Sequence, residues 1–286
     1  MKNGMPKFSV LVTVYKNEKA EYFDRALNSI ETQTLFPDEI VIVKDGRLSA
    51  SLDLVMEKHI RKFEYVYKII SLEKNHGRGY ASKVGIEHIS NSWFARMDSD
   101  DISLENRFEL QIKAIQKYRE KYSNLAAIGG QINEFSNNEG DVVGYRKVPL
   151  SPENIKNFAA YRSPINNPTV MINKSALINI GNYSSLNVLE DYDLWIRFLS
   201  KGYTLINIPD VLVNMRVGNG MYTRRGGFNY LVAYVKQKKL WKSEGIGNNK
   251  TVLVSSLAMI CNTLFPTKFR KYLYQNFLHK NRRGKL

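Results

Sequence analysis

Residues 8–14 read Phe-Ser-Val-Leu-Val-Thr-Val, and residues 93–101 read Trp-Phe-Ala-Arg-Met-Asp-Ser-Asp-Asp. The first stretch is β-rich and almost wholly apolar, the pattern of a strand covered on both faces. The second begins the same way over Trp93–Met97 and runs straight into a cluster of carboxylates. Between them the pattern alternates. Glu21–Gln33 has helical spacing, with Phe23, Ala26, Leu27 and Ile30 on one face. Glu39–Val43 is a second buried strand, ended by Asp45-Gly46. Leu52–Ile60 reads as a helix, Tyr65–Ser71 as a third strand and Tyr80–Ile89 as a helix. After the carboxylates a further helix is expected, with Ser103 as its N-cap and Phe108, Ile112 and Ile115 apolar. This β-α-β-α-β-α-β order predicts an α/β fold with a mostly parallel sheet and helices on both faces.

The second half is less regular. Ala126–Ile132, Thr169–Ile172, Tyr203–Ile208 and Val211–Met215 read as strands. Leu177–Gly181 reads as a helix end with Gly as C-cap, and Glu190–Ser200 as a helix closed by Gly202. The 286 residues allow one large domain or two small ones, with chain enough for a sizeable core. Hydrophobic residues make up 43% and charged residues 24%, which excludes disordered and fibrous classes. A single cysteine, Cys261, rules out an internal disulfide framework and fits a reducing compartment. The four histidines lie far apart, so no short metal-binding histidine motif exists. The apolar run Phe8–Tyr15 is short and lacks a small-residue cleavage site, so it reads as a strand and not as a signal peptide.

In open α/β sheets, ligands bind beyond the carboxyl ends of the strands. Val14-Tyr15, Asp45, the loop Asn75–Gly79 and Asp98 all fall there, so their four loops are expected to open on one cleft. Asp98-x-Asp100 suits Mg2+ or Mn2+, hard cations that take one or two carboxylates and fill the rest of their shell with phosphate oxygens. The plainer reading is a solvated turn and helix cap, because Asp and Ser favour turns. Gly77-Arg78-Gly79-Tyr80-Ala81-Ser82 imitates a GxGxxG dinucleotide fingerprint. Its third Gly is Ser82, however, and it follows the third strand instead of opening the fold, so a nicotinamide enzyme is disfavoured. A structural tight turn is the alternative there. In Glu190-Asp191-Tyr192-Asp193-Leu194-Trp195, the apolar Leu194, Trp195 and Phe198 form a buried face. Glu190 and Asp191 then sit in the first turn, where the helix dipole favours ionised carboxylates and one of them can act as a general base. Ordinary helix-end charge bias explains the same pattern.

The net charge of +15 is unevenly spread. Residues 223–286 hold 14 Lys and Arg against Glu244 alone, 14 − 1 = +13, whereas residues 1–222 hold 28 basic and 26 acidic groups, 28 − 26 = +2. Such a tail points to a polyanionic partner. The uncharged run 251–265 is too short to span a bilayer. Lys268–Lys280 sets Phe269, Leu273, Phe277 and Leu278 on one helical face with basic residues away from it, the pattern of an interfacial helix in anionic headgroups. A helical pair packed on the body with a basic rim is the other reading. No nucleic-acid fold accompanies the charge, so nucleic acid is not expected as a partner. Arg216-Val217-Gly218 and Arg224-Arg225-Gly226-Gly227 are either a lid over a diphosphate, hinged on glycine, or a plain basic loop.

Together FSVLVTVYKNE, VKDG at 43–46, NHGRGYAS at 75–82, MDSDD at 97–101, NPTVMINKSAL at 167–177 and LEDYDLWIRF at 189–198 resemble the inverting family 2 glycosyltransferases. The resemblance covers residues 7–217 and is greatest to the bacterial enzymes that extend lipid-linked O-antigen or capsule repeat units. It implies the GT-A nucleotide-sugar (Rossmann-like) fold over residues 1–222, followed by a basic helical membrane-association segment over 223–286. The implied reaction moves Gal or Glc from a UDP-sugar onto GlcNAc-diphospho-undecaprenol or a similar saccharide, at the cytoplasmic face of the inner membrane. Thr13, Tyr15, Glu18, Asp45, Gly77, Lys83, Asp98 and Arg216 would line the donor nucleotide, Asp45 accepting from uracil. Asp98 and Asp100 would hold Mn2+ or Mg2+. Asp191 would be the catalytic base, with Glu190 beside it. Two departures stand out. Lys16 interrupts the usual Tyr-Asn-Glu run, and Lys83 stands where relatives often have Arg, losing a bidentate phosphate contact. The rivals are a sugar nucleotidyltransferase, which should carry a Gly-rich loop where this chain has TVYKNEK, and a non-catalytic carbohydrate or membrane-surface binding module.

Overall fold

A computed structural model describes residues 5–184, 186, 188–218 and 227–264. Its first half follows the sequence closely. Strands β1 (Phe8–Val14), β2 (Glu39–Lys44), β3 (Tyr67–Ser71) and β4 (Trp93–Asp98) alternate with helices α1 (Ala20–Glu31), α2 (Ala50–Lys62) and α3 (Arg78–His88). β1 pairs in parallel with β2 on one side and β4 on the other, and β2 pairs in parallel with β3. Alternation along these strands divides the core. Val10, Val12, Val14, Ile40 and Ile42 face α1, α2 and α4 (Arg107–Lys121) through Phe23, Leu27, Leu52, Phe108 and Ile112. Leu11, Val41 and Val43 face the opposite side, towards Ala81, Ile86, Leu177, Trp195 and Phe198. Gly85 lets α3 lie close on that face, because a Cβ there would come within 2.4 Å of the Leu11 side chain. On the other face, buried His59 ties α2 to α1, with Nδ1 2.7 Å from Glu31 Oε1 and Nε2 2.9 Å from Asp24 Oδ1.

The second half extends this sheet to nine strands in the order β3-β2-β1-β4-β8-β6-β9-β5, with β7 on β6. The added strands are β5 (Ile102–Ser103), β6 (Leu125–Phe135), β7 (Val142–Arg146), β8 (Met171–Asn173) and β9 (Thr204–Arg216). β6 and β9 run with the first four strands, whereas β5, β7 and β8 run against their neighbours. The two strands expected at 203–208 and 211–215 are one strand, β9. Its register against β6 jumps from Asn207 to Val211, which leaves Pro209 and Asp210 exposed in a bulge. A proline cannot donate to the ladder, and the bulge removes that demand. Ser103 is not a helix cap. It sits in β5, its N–H donates to Ser29 Oγ (3.0 Å), and its hydroxyl accepts from Arg107 (2.9 Å). β5, β7 and helix α5 (Pro152–Ala159) lie in the stretches that carried no clear periodicity.

Helices α6 (Lys174–Asn179) and α7 (Glu190–Ser200) match their expected places, each followed by a positive-φ glycine, Gly181 and Gly202. Two helices of the basic segment lie among the described residues, α8 (Phe228–Ser243) and α9 (Asn249–Leu264). Tyr234 and Trp241 of α8 and the following Ile246 belong to the body's second core cluster. The amphipathic run 268–280 and the arginines at 224 and 225 lie outside the described residues.

Candidate active site

The cleft is built where the parallel strands end. Register places Thr13 of β1 opposite Asp98 of β4. Beyond β2, Asp45 accepts three hydrogen bonds from the next loop: Asn75 Nδ2 (2.9 Å), His76 N (2.7 Å) and Gly77 N (2.9 Å). Most of the four or so lone-pair sites of that carboxylate are thus used in fixing the 75–77 loop. Gly46 makes the approach possible, since a Cβ there would sit 2.8 Å from the Asn75 nitrogen. Gly77, at φ 88°, turns the chain into α3 and sets Arg78 at its first position.

Arg78 joins the parts. Its guanidinium lies 3.7 Å from Asp98 Oδ2 and 3.1 Å from Glu190 Oε1, so one side chain bridges the end of β4 and the start of α7. Burial works against its charge, but the carboxylates of Asp98, Asp191 and Glu190 more than offset this and hold the proton tightly. From below, fully buried Arg96 reaches Asp98 Oδ1 at 2.9 Å. Arg96 and Asp98 are two residues apart on β4 and therefore share a face. On the loop itself, Ser99 donates to Glu18 (2.6 Å), and Asp101 accepts the Arg216 N–H (2.8 Å). Glu18 is therefore turned onto the acidic loop, Lys16 notwithstanding.

This crowding changes the acids. Burial first, then the charges of Asp98 and Glu18, pushes the Asp100 carboxyl up to about 7. Asp101 is raised too, by burial first and then by Asp100 and Asp98. Asp191 is also raised. Burial is the largest cause, Arg78 opposes it, and Glu190 adds to it. Buried Arg107 under the loop is lowered to about 9 by burial, with Asp101 and Asp98 opposing. Among the described residues no group of three or more side chains makes a metal cage.

Some expected residues stand apart. Lys83 is exposed on α3, and no described hydrogen bond or ion pair links it to the acids. Tyr15 is 41% exposed at the rim. Arg216 is buried behind the loop. It donates to the Asp100 carbonyl (3.2 Å) and to the carbonyls of Ser136 and Asn137 (3.3 Å each), and its guanidinium lies 3.7 Å from the centre of the Tyr22 ring. It braces the acidic loop from behind. Asp193 is likewise structural, accepting from Arg197 (2.8 Å) and Trp241 (3.1 Å). The sequence pattern alone does not mark Arg78, Arg96 and Asp101 as site residues. An arginine inside an otherwise apolar strand, two residues before a carboxylate, was the available signal for Arg96.

A family model described as "Glycosyl transferase family 2" matches residues 9–181. The chain belongs to glycosyl transferase family 2. An uncharacterized glycosyltransferase of Haemophilus influenzae is 39% identical over 274 residues, 96% of this chain and 100% of the relative. The amylovoran biosynthesis glycosyltransferase AmsE of Erwinia amylovora is 36% identical, over 97% of this chain and 100% of its own length. The UDP-Gal:alpha-D-GlcNAc-diphosphoundecaprenol beta-1,3-galactosyltransferase of Escherichia coli is 32% identical, over 98% and 99%. The fold of this family 2 glycosyltransferase is shared with S. aureus TarS 1-349 in complex with UDP-GlcNAc, at TM-score 0.60, 19% identity, and 95% and 72% coverage. It is also shared with the mannosyltransferase PcManGT of Pyrobaculum calidifontis in complex with GDP-Man and Mn2+, at TM-score 0.59, 14% identity, and 96% and 70% coverage. The GT-A architecture expected from the motifs is thus the observed one.

Proposed function

We propose that this glycosyltransferase moves a hexose, galactose foremost, from a UDP-sugar to a lipid-linked saccharide of the GlcNAc-diphospho-undecaprenol kind, inverting the anomeric configuration. The chemistry rests on one juxtaposition, the Arg78 bridge from Asp98 to Glu190 beside Asp191. The donor and acceptor class follows the full-length likeness to the E. coli galactosyltransferase.

Thr13, Tyr15, Glu18, Asp45 and Gly77 take the nucleotide, with Asp45 offering its remaining lone pair to the base. Lys83 contributes at most long-range charge. Asp98 and Asp100 would hold Mn2+ or Mg2+. The fit is in the donor set, hard carboxylate oxygens crowded until Asp100 resists ionisation near neutrality. When bound, the ion supplies positive charge to the leaving diphosphate. Asp101 and Arg216 hold the loop that presents those oxygens. Asp191 accepts the acceptor hydroxyl proton as that oxygen bonds to the anomeric carbon. The bond to UDP breaks, and its electron pair leaves with the diphosphate. A carboxylate with raised proton affinity suits that step, and such assistance is worth roughly 10²–10⁴-fold. Glu190 keeps Arg78 in place between the two halves. Residues 1–222 carry the catalysis and 223–286 meet an anionic membrane at its cytoplasmic face. The division is one of role, since α8 packs in the core.

The test is a panel of UDP-Gal, UDP-Glc and GDP-Man against a short-chain diphospholipid GlcNAc acceptor, with Mn2+ present and removed. A β-linked galactoside formed from UDP-Gal, and lost with the metal, is the expected product by NMR. An α-linked product, or turnover only with GDP-Man, overturns the reading.

A further inference from the structure

Helix α9 is inverted. Its inward positions are Thr251, Ser255, Ser256 and Met259, whereas Leu253 (60% exposed), Val254 and Leu257 (51%) face outward. Two of the three inward hydroxyls are settled locally: Thr251 donates to the Asn248 carbonyl (2.9 Å) and Ser255 to the Thr251 carbonyl (2.7 Å). Lys250 is the only charged residue in the helix. Beside it, α8 leaves Phe228 (74% exposed), Val232 and Leu240 outside. An apolar groove of about 400 Å3, lined by Leu231, Val232, Val235 and Ile260, runs between the two helices with Lys236 and Lys239 at its edge.

A helix in water turns its apolar stripe inward. One that turns it outward, on a firmly packed support, matches a surrounding of low polarity. The support here is firm. Lys238 of α8 donates to Tyr192 Oη (2.9 Å) and the Ala160 carbonyl, and Trp241 donates to Asp193 (3.1 Å). These partners include two residues of α7 that follow Asp191 directly.

We infer that the outward face of the α8–α9 hairpin docks on an anionic phospholipid bilayer, the helices lying in the interface and the groove receiving acyl chain. Charge selects this occupant. Lys236, Lys239, Lys242 and Lys250 are exposed around the patch, Glu244 is the only acid in 227–264, and residues 265–286 add seven basic residues and no acid. A second copy meeting the same patch across a two-fold axis would set these lysines against one another. Headgroups of an anionic leaflet pair with them while the apolar residues leave water. No helix among the described residues is long and apolar enough to cross a membrane. The inference deepens the reading of a lipid-borne acceptor by naming the surface that brings α7 to the membrane.

The full-length protein, without donor sugar, is sedimented with vesicles of phosphatidylcholine alone or mixed with phosphatidylglycerol. Binding to the mixed vesicles is expected, and L253D/L257D should weaken it on the order of tenfold or more. K236Q/K239Q should weaken it by roughly fivefold per lysine on anionic vesicles and leave zwitterionic vesicles unaffected. Circular dichroism checks that each variant is folded, and the lysine pair serves if the aspartates disturb α9. Vesicle binding unchanged in both variants overturns the inference. So does a wild-type dimer that L253D/L257D dissolves, since the patch is then a subunit interface. Because the assay involves no turnover, failure of the galactosyl reading leaves its outcome intact.

Discussion

The strand-end cleft and the α8–α9 hairpin break the same rule in opposite directions. In the cleft, Asp98, Asp100, Asp101 and Asp191 are drawn out of water and set beside one another. On the hairpin, Leu253, Val254 and Leu257 are pushed into water while serines face inward. Neither arrangement is what folding alone favours: isolated charges resist burial and apolar groups resist exposure. In each region the surrounding structure holds the unfavourable groups in place. Arg78, Arg96 and the Arg216 N–H do so in the cleft, and the contacts of Lys238 and Trp241 do so under the hairpin. Groups held in this way mark where a binding partner can act, and the proposals made above put a cation and a diphosphate at the first and a bilayer at the second.

The contrast can be broken by mutation. The largest effect belongs to the cleft. Asp191→Asn keeps the shape and removes the base, so transfer should fall by about 10²–10⁴-fold while the protein still folds. Near-full turnover in a steady-state assay would move the base elsewhere. Next comes the joint between the regions. Trp241 is buried against Tyr192 and Asp193, so Trp241→Ala should cost about 3–5 kcal/mol in denaturant or thermal unfolding. An unchanged transition would mean that the hairpin is an appendage to the body. The smallest effect runs the other way. Asp100 prefers its proton in the folded state, so its ionisation subtracts stability as pH rises from the ordinary carboxylate range through about 7. Asp100→Asn in metal-free buffer should therefore be more stable than wild type by about 1–2 kcal/mol at pH 8, after allowance for solvent screening, with no gain at pH 4. A difference that does not vary with pH would show that the acids do not repel as the geometry requires.

Legibility followed physical locality. Buried parallel strands are continuous apolar runs, so β1, β2 and β4 announced themselves, and α7 was placed to the residue by its apolar stripe and acidic first turn. β5 and β7 did not, because a two-residue strand and an edge strand with exposed Val142 and Val143 owe their form to neighbours, not to their own pattern. Pro209 made one strand look like two, since a bulge is a property of the pairing between strands. Within the site, carboxylates at strand ends were readable as candidates because a strand's end is a local feature.

The alternation of strand and helix, the acids that terminate the strands, and the concentration of positive charge after residue 222 are all legible along the chain. Each is written in neighbouring residues. Packing in three dimensions sets the rest: Arg78 reaches Glu190 across 112 positions of chain, Arg216 braces the acidic loop from behind, and α9 faces its apolar side away from the body. Those outcomes depend on which surfaces the folded sheet brings together. An ion pair or a helix's orientation is set by distance and burial in space, which residue spacing along the chain does not encode.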